Sequence, residues 1–163
     1  MVMIHVFHSL RSKWHTERRD STRQWTFHDG FCGIGGGTIG FGHAGGKCTG
    51  AFDSCARARA VYQGHTGREP GRKWEELLQA QSADVYYGAA PCEDKEGLKN
   101  QKRLIWQQLE LIRQHQYKVI VIETVLHFKR MHNGEIFRAF IGDAQEAGYV
   151  MHCKLLFSPD FGS

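Results

Sequence analysis

Two short patterns in this sequence could do chemistry: a cysteine that follows a proline, and a glutamate inside an apolar segment. Pro91-Cys92 follows A-D-V-Y-Y-G-A-A, and Glu123 interrupts K-V-I-V-I-E-T-V. A solvent-accessible thiol near a helix start is a candidate nucleophile, although a buried structural cysteine is the commoner case. A carboxyl group in an apolar strand needs either a functional site or a nearby Lys or Arg to justify its burial. We therefore treat Cys92 and Glu123 as candidates for one reactive site.

A glycine-rich segment at residues 27–41 is the second candidate for function. After the predicted strand that ends at Phe27 it holds four closely spaced glycines: Gly33, Gly35, Gly36 and Gly37. Glycines here allow positive φ and let a ligand approach the main chain, while the next helix directs its first N–H groups towards that ligand. The segment is typical of a nucleotide-type cofactor loop. A ligand-free surface loop is one alternative. A nicotinamide cofactor is another, because Gly35-x-Gly37-x-x-Gly40 followed by Asp53 satisfies the dinucleotide pattern.

The composition predicts a single domain of an intracellular protein. The chain has 163 residues, with 21 Lys and Arg against 17 Asp and Glu, a formal net charge of +4. This mild excess is compatible with an acidic partner such as nucleic acid. The cysteines form no C-x-x-C pair, no histidine and cysteine set has the spacing of a zinc module, and no apolar run is long enough for a signal peptide core or a membrane span. We expect a reduced compartment, nucleus or cytoplasm, with no metal.

The elements that must position these residues alternate between strands and helices. The first predicted strand ends at Phe27, and four more cover residues 47–53, 83–90, 118–125 and 149–157. The predicted helices cover residues 38–44, 54–63, 73–81 and 101–116, with one more after Asn133. This alternation predicts an α/β fold with a doubly wound, mostly parallel sheet. Cys92 and Glu123 then follow neighbouring strands at the edge where such sheets bind ligands.

Residues 1–24 stand apart from this pattern. They are basic, yet Met3, Phe7, Leu10 and Trp14 recur at helical spacing. We expect either an N-terminal leader or a short docked helix, followed by one domain over residues 25–163.

Several motifs in the same order resemble the cytosine-5 DNA methyltransferase family. They are D-x-F-C-G-I-G-G, an acidic residue closing the second strand, P-C, and E-x-V after a long helix. The resemblance runs from Trp25 to Gly162 and includes the late stretch from Gly148 that ends in D-F-G. It implies a Rossmann-like S-adenosylmethionine-dependent methyltransferase fold. It also implies methyl transfer from S-adenosylmethionine to carbon 5 of cytosine in DNA.

The resemblance also implies a role for each site residue. Cys92 would be the nucleophile, Pro91 would fix its loop, and Glu123 would hydrogen-bond and protonate the cytosine ring. Asp53 would hold the ribose hydroxyls of the cofactor, and Leu104 would pack near its adenosine end. The residues that would line the rest of the cofactor are Phe31, Gly33, Ile34, Gly35 and Gly36.

The departures from the family pattern leave two further alternatives open. Glu93 follows the nucleophile and Thr124 follows the glutamate, where the family has a glutamine and an asparagine. The family's Gln-x-Arg-x-Arg motif and target-recognition region do not follow Gly162, so residues 25–163 resemble an incomplete catalytic subdomain that needs a recognition domain or subunit. The alternatives are a tRNA cytosine methyltransferase of the same family, and an inactive remnant that binds S-adenosylmethionine.

Overall fold

One six-stranded sheet organises the protein in the computed structural model, which describes residues 2–9, 23–91, 98–156 and 158–161. The strands are β1 (Val2–Ser9), β2 (Thr26–Gly30), β3 (Lys47–Phe52), β4 (Val85–Gly88), β5 (Val119–Val125) and β6 (Tyr149–Leu156). Their order across the sheet is β3-β2-β4-β5-β1-β6. The first four strands in this order are parallel to one another, and β1 is antiparallel to both β5 and β6.

Helices cover both faces of this sheet. They are α1 (Gly36–His43), α2 (Ala56–Thr66), α3 (Glu75–Leu78), α4 (Leu98–His115) and α5 (Glu135–Glu146). Successive strand residues point to opposite faces, and β4 illustrates this. The Tyr86 hydroxyl meets Gln108 of α4, whereas the Tyr87 ring packs against Phe41 of α1. The prediction of a doubly wound, mostly parallel α/β fold is confirmed.

The main core lies on the face covered by α3, α4 and α5. Its largest fully buried side chains include Tyr86 from β4, Leu109 and Ile112 from α4, and Ile120 from β5. In α4 the buried residues Ile105, Leu109 and Ile112 form an apolar stripe on one face of the helix. In β5 the apolar run is nearly continuous, as a parallel strand covered on both faces requires.

A buried polar cluster joins β2 to the end of α4. His28 Nε2 faces the carbonyl of Gln81 at 3.0 Å, and because a carbonyl only accepts, that nitrogen carries the proton. His28 Nδ1 therefore accepts a hydrogen bond of 2.7 Å from the Tyr117 hydroxyl. Burial, reinforced by nearby His115, lowers the pKa of His28 from 6.5 to about 4. The fold thus holds this histidine neutral.

The interpretation of the first 24 residues as a leader or helix is wrong for the part that the structure describes. Val2–Ser9 is a strand, and it lies inside the sheet with Val6 opposite Val121 on one side and His152 on the other. Residues 10–22 lie outside the described part. The β-branched residues at positions 2, 4 and 6 favour a strand, and two open strand edges provide the partners.

The segment before α5 also differs from the prediction. Leu126–Gly134 forms a 3₁₀ helix, and the N-cap of α5 is Gly134 at φ 76° rather than Asn133. Similarly, α2 begins at Ala56 with Cys55 as its N-cap, later than the predicted Ser54. In the described part of the chain no helix is both long and apolar enough to cross a membrane.

Candidate active site

The chain changes direction in the sheet at the carboxyl end of β2. This strand lies between β3, which follows it in the sequence, and β4, which pairs with its other side. The connections from β2 and β3 therefore leave on opposite sides, which opens a crevice at the carboxyl ends of β2 and β4. All the described candidate residues lie on segments that begin or end at this edge.

The glycine loop forms the floor of this crevice. Phe31, Gly33 and Gly35 all have positive φ, at 57°, 53° and 100°. Gly35 is buried and serves as the N-cap of α1. The first N–H groups of any α-helix have no partner within the helix, and at α1 no N-cap side chain accepts from them. Gly36 is exposed, and a Cβ built there would meet nothing within 4 Å. The loop thus leaves room for a ligand against the main chain at the start of α1.

Asp53 braces this loop from the end of β3. One carboxylate oxygen accepts the Gly33 N–H at 2.9 Å, and the other accepts the Cys55 N–H at 2.8 Å. Each oxygen keeps a second lone pair, so the same carboxylate can also accept hydroxyl donors. Asp53 therefore fixes the loop to the start of α2 and remains a candidate partner for a ribose.

A cavity of about 270 Å³ opens beside the loop, and it brings together two of the predicted residues, Phe31 and Leu104. The Phe31 ring lies 4.7 Å from the Phe52 ring, centroid to centroid. Sequence reasoning missed most of the wall, which is formed by Phe52, Ser54, Arg72, Lys73, Trp74, Glu75, Arg103 and Gln107. A bridge between Phe52 and Gly71 brings the segment after Gly71 alongside β3, and no local pattern indicates that pairing.

Sequence reasoning also missed Asp29, which is fully buried beneath the loop. Its Oδ2 accepts the Thr38 hydroxyl of α1 at 2.7 Å, while Oδ1 has no hydrogen-bond partner among the described residues. Burial raises the pKa of Asp29 from 3.8 to about 6, with the Thr38 hydrogen bond opposing that effect and the charge of Asp53 adding to it. The sequence feature that could have identified Asp29 is an acidic residue at the end of a buried strand.

Glu123 lies near the carboxyl end of β5, one residue beyond the pair that Ile122 forms with Gly88 of β4. Its carboxylate accepts a short hydrogen bond from the Tyr87 hydroxyl. Among the described residues no Lys or Arg forms an ion pair with it. Among the described residues, the partner of this half-buried carboxyl group is therefore a phenol on the neighbouring strand.

Pro91 is exposed and follows β4 at the same edge as Glu123, whereas Cys92 lies outside the described residues. Two other cysteines lie near the site and can be compared with Cys92 as possible nucleophiles. Cys32 is buried in the glycine loop and Cys48 is half-buried in β3, and burial raises the pKa of both thiols. Neither thiol forms the thiolate that a nucleophile needs near neutral pH. The described residues include no group of three or more His, Cys, Asp or Glu side chains arranged to hold a metal ion.

Known proteins match this chain over most of its length. The model of the C-5 cytosine-specific DNA methylase family matches residues 25–163. Type II methylase M.HgiDII of Herpetosiphon aurantiacus is 29% identical over 150 residues, with 82% of this chain and 42% of that protein covered. Type II methyltransferase M.BsuFI of Bacillus subtilis is 24% identical over 155 residues, with 90% and 38% covered. The chain thus spans less than half of either relative.

A solved structure of a DNMT2 variant from Spodoptera frugiperda superposes with a TM-score of 0.62. The two sequences are 17% identical, and the superposed part covers 77% of this chain and 42% of the DNMT2 chain. At that identity the likeness shows the shared fold, which agrees with the sheet and crevice described above. Because the family model matches residues 25–163, the chain belongs to the C-5 cytosine-specific DNA methylase family.

Proposed function

We propose that this chain carries the catalytic chemistry of a DNA (cytosine-5-)-methyltransferase. The observation that carries the proposal is the convergence at one sheet edge of the glycine loop, Asp53, the Pro91 segment and Glu123. Each strand of this edge contributes a group that the reaction needs, and the order of these groups along the chain is that of the family. The S-adenosylmethionine-binding, DNA-acting and methyl-transferring roles of this chain all belong to this proposal.

The residues of the crevice fit S-adenosylmethionine as the cofactor. The open main chain at Gly36 can receive one end of an extended ligand, and the cavity beside Phe31 and Leu104, lined by both apolar and polar side chains, can receive the other. Phe31, Gly33, Ile34, Gly35 and Gly36 would line it. Asp53 would accept the ribose hydroxyls, and Leu104 would contact the adenosine end. When bound, S-adenosylmethionine supplies an electrophilic methyl group.

The protein groups would act on the cytosine ring in a fixed order. The Cys92 thiolate forms a bond to carbon 6, and the electron pair of the 5,6 double bond makes carbon 5 electron-rich. Glu123 hydrogen-bonds the ring nitrogen beside the amino-bearing carbon and donates a proton to it as negative charge develops. Pro91 limits the conformations of the segment that carries the thiol. Because a thiol cannot reach the ring inside a duplex, the target base must be flipped out.

Target recognition is assigned to a part of the enzyme outside these residues. The chain spans 42% and 38% of the two relatives named above, so much of each has no counterpart here. We propose that a recognition domain or a separate recognition subunit supplies sequence-specific contacts and base flipping to this catalytic unit. The net charge of +4 fits a DNA partner.

Calorimetric titration with S-adenosylmethionine tests the cofactor, with NAD as the control ligand. We expect saturable binding of the first and none of the second. Binding of NAD alone would favour the nicotinamide alternative, and binding of neither would contradict the cofactor assignment.

Covalent trapping then tests the reaction. A single-stranded DNA oligonucleotide containing 5-fluorocytosine, whose base needs no flipping out of a duplex, should form an adduct stable to denaturation in the presence of S-adenosylmethionine, because fluorine at carbon 5 blocks release of the cysteine. Cys92→Ser should abolish the adduct, and Cys55→Ser, which removes an exposed thiol, should not. An adduct that survives Cys92→Ser would disprove the assigned nucleophile. Preferential trapping of RNA of the same sequence would favour the tRNA alternative, and cofactor binding without any adduct would favour the inactive remnant.

A further inference from the structure

The hydrogen bond between Tyr87 and Glu123 is not required by any motif of the chain. The Tyr87 hydroxyl donates to Oε2 of Glu123 across the β4–β5 pair. A phenol has one proton to donate, and a carboxylate that accepts it loses rotational freedom about its last torsion. The orientation of the Glu123 carboxyl group is therefore set from β4 as well as from β5.

The ring of the same tyrosine packs on the first turns of α1. Its centroid lies 5.2 Å from that of Phe41. A Cβ built at Gly37 would overlap the Tyr87 ring, so the ring occupies space that only a glycine leaves. Tyr87 thus contacts the helix that begins at the proposed cofactor loop with its ring, and the proposed catalytic carboxyl group with its hydroxyl.

The chemical environment keeps this phenol in its donor form. Burial raises the pKa of Tyr87, and the hydrogen bond to Glu123 and the charges of Glu123 and Asp29 raise it further. The hydroxyl therefore stays protonated across the range in which a methyltransferase works. Its neighbour Tyr86 is fully buried and has its hydroxyl on the opposite face, where Gln108 is the partner at 3.4 Å.

We infer that Tyr87 is a positioning residue that orients the Glu123 carboxyl group towards the base and links it to the first turn of α1. The inference rests on the proposed function, in which Glu123 acts on the cytosine ring. Tyr87 itself contacts neither base nor cofactor; it acts through Glu123.

Tyr87→Phe tests this inference because it keeps the ring and removes the hydroxyl. We expect the affinity for S-adenosylmethionine to stay within about twofold, since the packing on α1 is retained. At saturating cofactor, the rate of adduct formation with 5-fluorocytosine DNA should fall about tenfold, the loss of roughly one hydrogen bond to a charged group. Tyr86→Phe, the same change one residue earlier, should leave that rate unchanged. Equal losses in both variants, or no loss in Tyr87→Phe, would overturn the inference.

A double-mutant cycle separates positioning from a general structural effect. If Tyr87 acts through Glu123, the Tyr87→Phe change should have no further effect on adduct formation in a Glu123→Ala background, in which the acceptor of the hydrogen bond is gone. A full additional loss there would overturn the inference.

The same four proteins also separate this inference from the proposed function. Their urea unfolding midpoints report the Tyr87–Glu123 contact without any catalysis, and we expect non-additive shifts. Additive shifts would overturn the contact and the inference with it. A wild-type protein that forms no adduct, together with non-additive midpoints, would instead overturn the proposed function and, with it, the catalytic part of the inference.

Discussion

Gly36 and Gly37 are neighbours in the first turn of α1, yet a methyl group would meet different surroundings at each. At Gly36 a Cβ finds nothing within 4 Å, whereas at Gly37 it overlaps the Tyr87 ring and lies 3.0 Å from Oδ1 of Asp29. Gly37 is thus required by the packing of the protein itself. Gly36 is free of that requirement, so a side chain there would interfere only with something bound in the crevice.

Alanine substitutions should separate these two roles. Gly36→Ala should leave the free energy of unfolding unchanged or raise it by about 0.5–1 kcal/mol, as expected for alanine in a helix. Its affinity for S-adenosylmethionine should fall by about tenfold or more, because the main chain is no longer open to a ligand. Gly37→Ala should lower the free energy of unfolding by about 1–3 kcal/mol through overpacking. Urea denaturation and calorimetry measure the two quantities.

Gly40→Ala is the matched control for both variants. Gly40 lies in the same helix, with nothing within 4 Å of an added Cβ, and outside the proposed cofactor contacts. It should gain stability and bind the cofactor normally. Wild-type affinity in Gly36→Ala would show that the start of α1 is not a cofactor site.

At the scale of elements, β1 decides whether the second half of the sheet holds together. It is the strand partner of both β5 and β6, and it lies outside the residues that match the family model. Without it no other strand of the described sheet pairs with β6, although the Tyr149 hydroxyl at the start of β6 would still donate to the Tyr117 carbonyl at 2.7 Å. Eight residues at the beginning of the chain therefore complete a sheet whose other strands lie much later.

Deletion of residues 1–9 should expose the edges of β5 and β6. Amide hydrogen exchange measured by mass spectrometry should become fast in β6, while β2, β3 and β4 keep most of their protection. The unpaired β5 edge should also promote self-association, visible by light scattering. A synthetic peptide of residues 1–10 added in trans should restore protection, and a scrambled peptide should not. Protection of β6 that survives the deletion would contradict this role of β1.

For the whole molecule, two buried titratable groups act on stability in opposite directions. The pKa of His28 is lowered from 6.5 to about 4, so between those values the unfolded chain binds more protons and stability is lost as pH falls. The pKa of Asp29 is raised from 3.8 to about 6, so the folded protein binds more protons there and stability is lost as pH rises. Each group changes the free energy of unfolding by about 3 kcal/mol at most across its window, and because the two changes have opposite signs they nearly cancel.

We therefore expect the free energy of unfolding of the wild-type protein to change little between about pH 4 and 6.5. Asp29→Asn removes one side of the balance, so its free energy of unfolding should rise with pH across that window. His28→Gln removes the other side and should give the opposite slope. Urea denaturation at several pH values measures each slope. Variants that both keep the wild-type pH dependence would show that neither group titrates as described.

The sequence by itself determined most of the elements from residue 25 onward, and it singled out the glycine loop and the edge that carries Pro91 and Glu123. The apolar run of β5, the stripe of α4 and the glycine cluster after β2 are local patterns, and each predicts its element because backbone geometry and side-chain spacing act over a few residues. The parallel order then places Pro91 and Glu123 at one edge. The family resemblance, drawn from the order of these motifs, is confirmed by the family model.

Only the tertiary structure decided which residues become partners. Residues 2–9 fit a strand as well as a helix, and two available strand edges settled the choice. Tyr87 became the partner of Glu123, and Trp74 and Arg103 joined the cavity, through contacts between segments far apart in the chain. Such pairings depend on how strands are ordered and how helices cover them. No local periodicity encodes that order, because the free energy that selects it comes from burying many segments together.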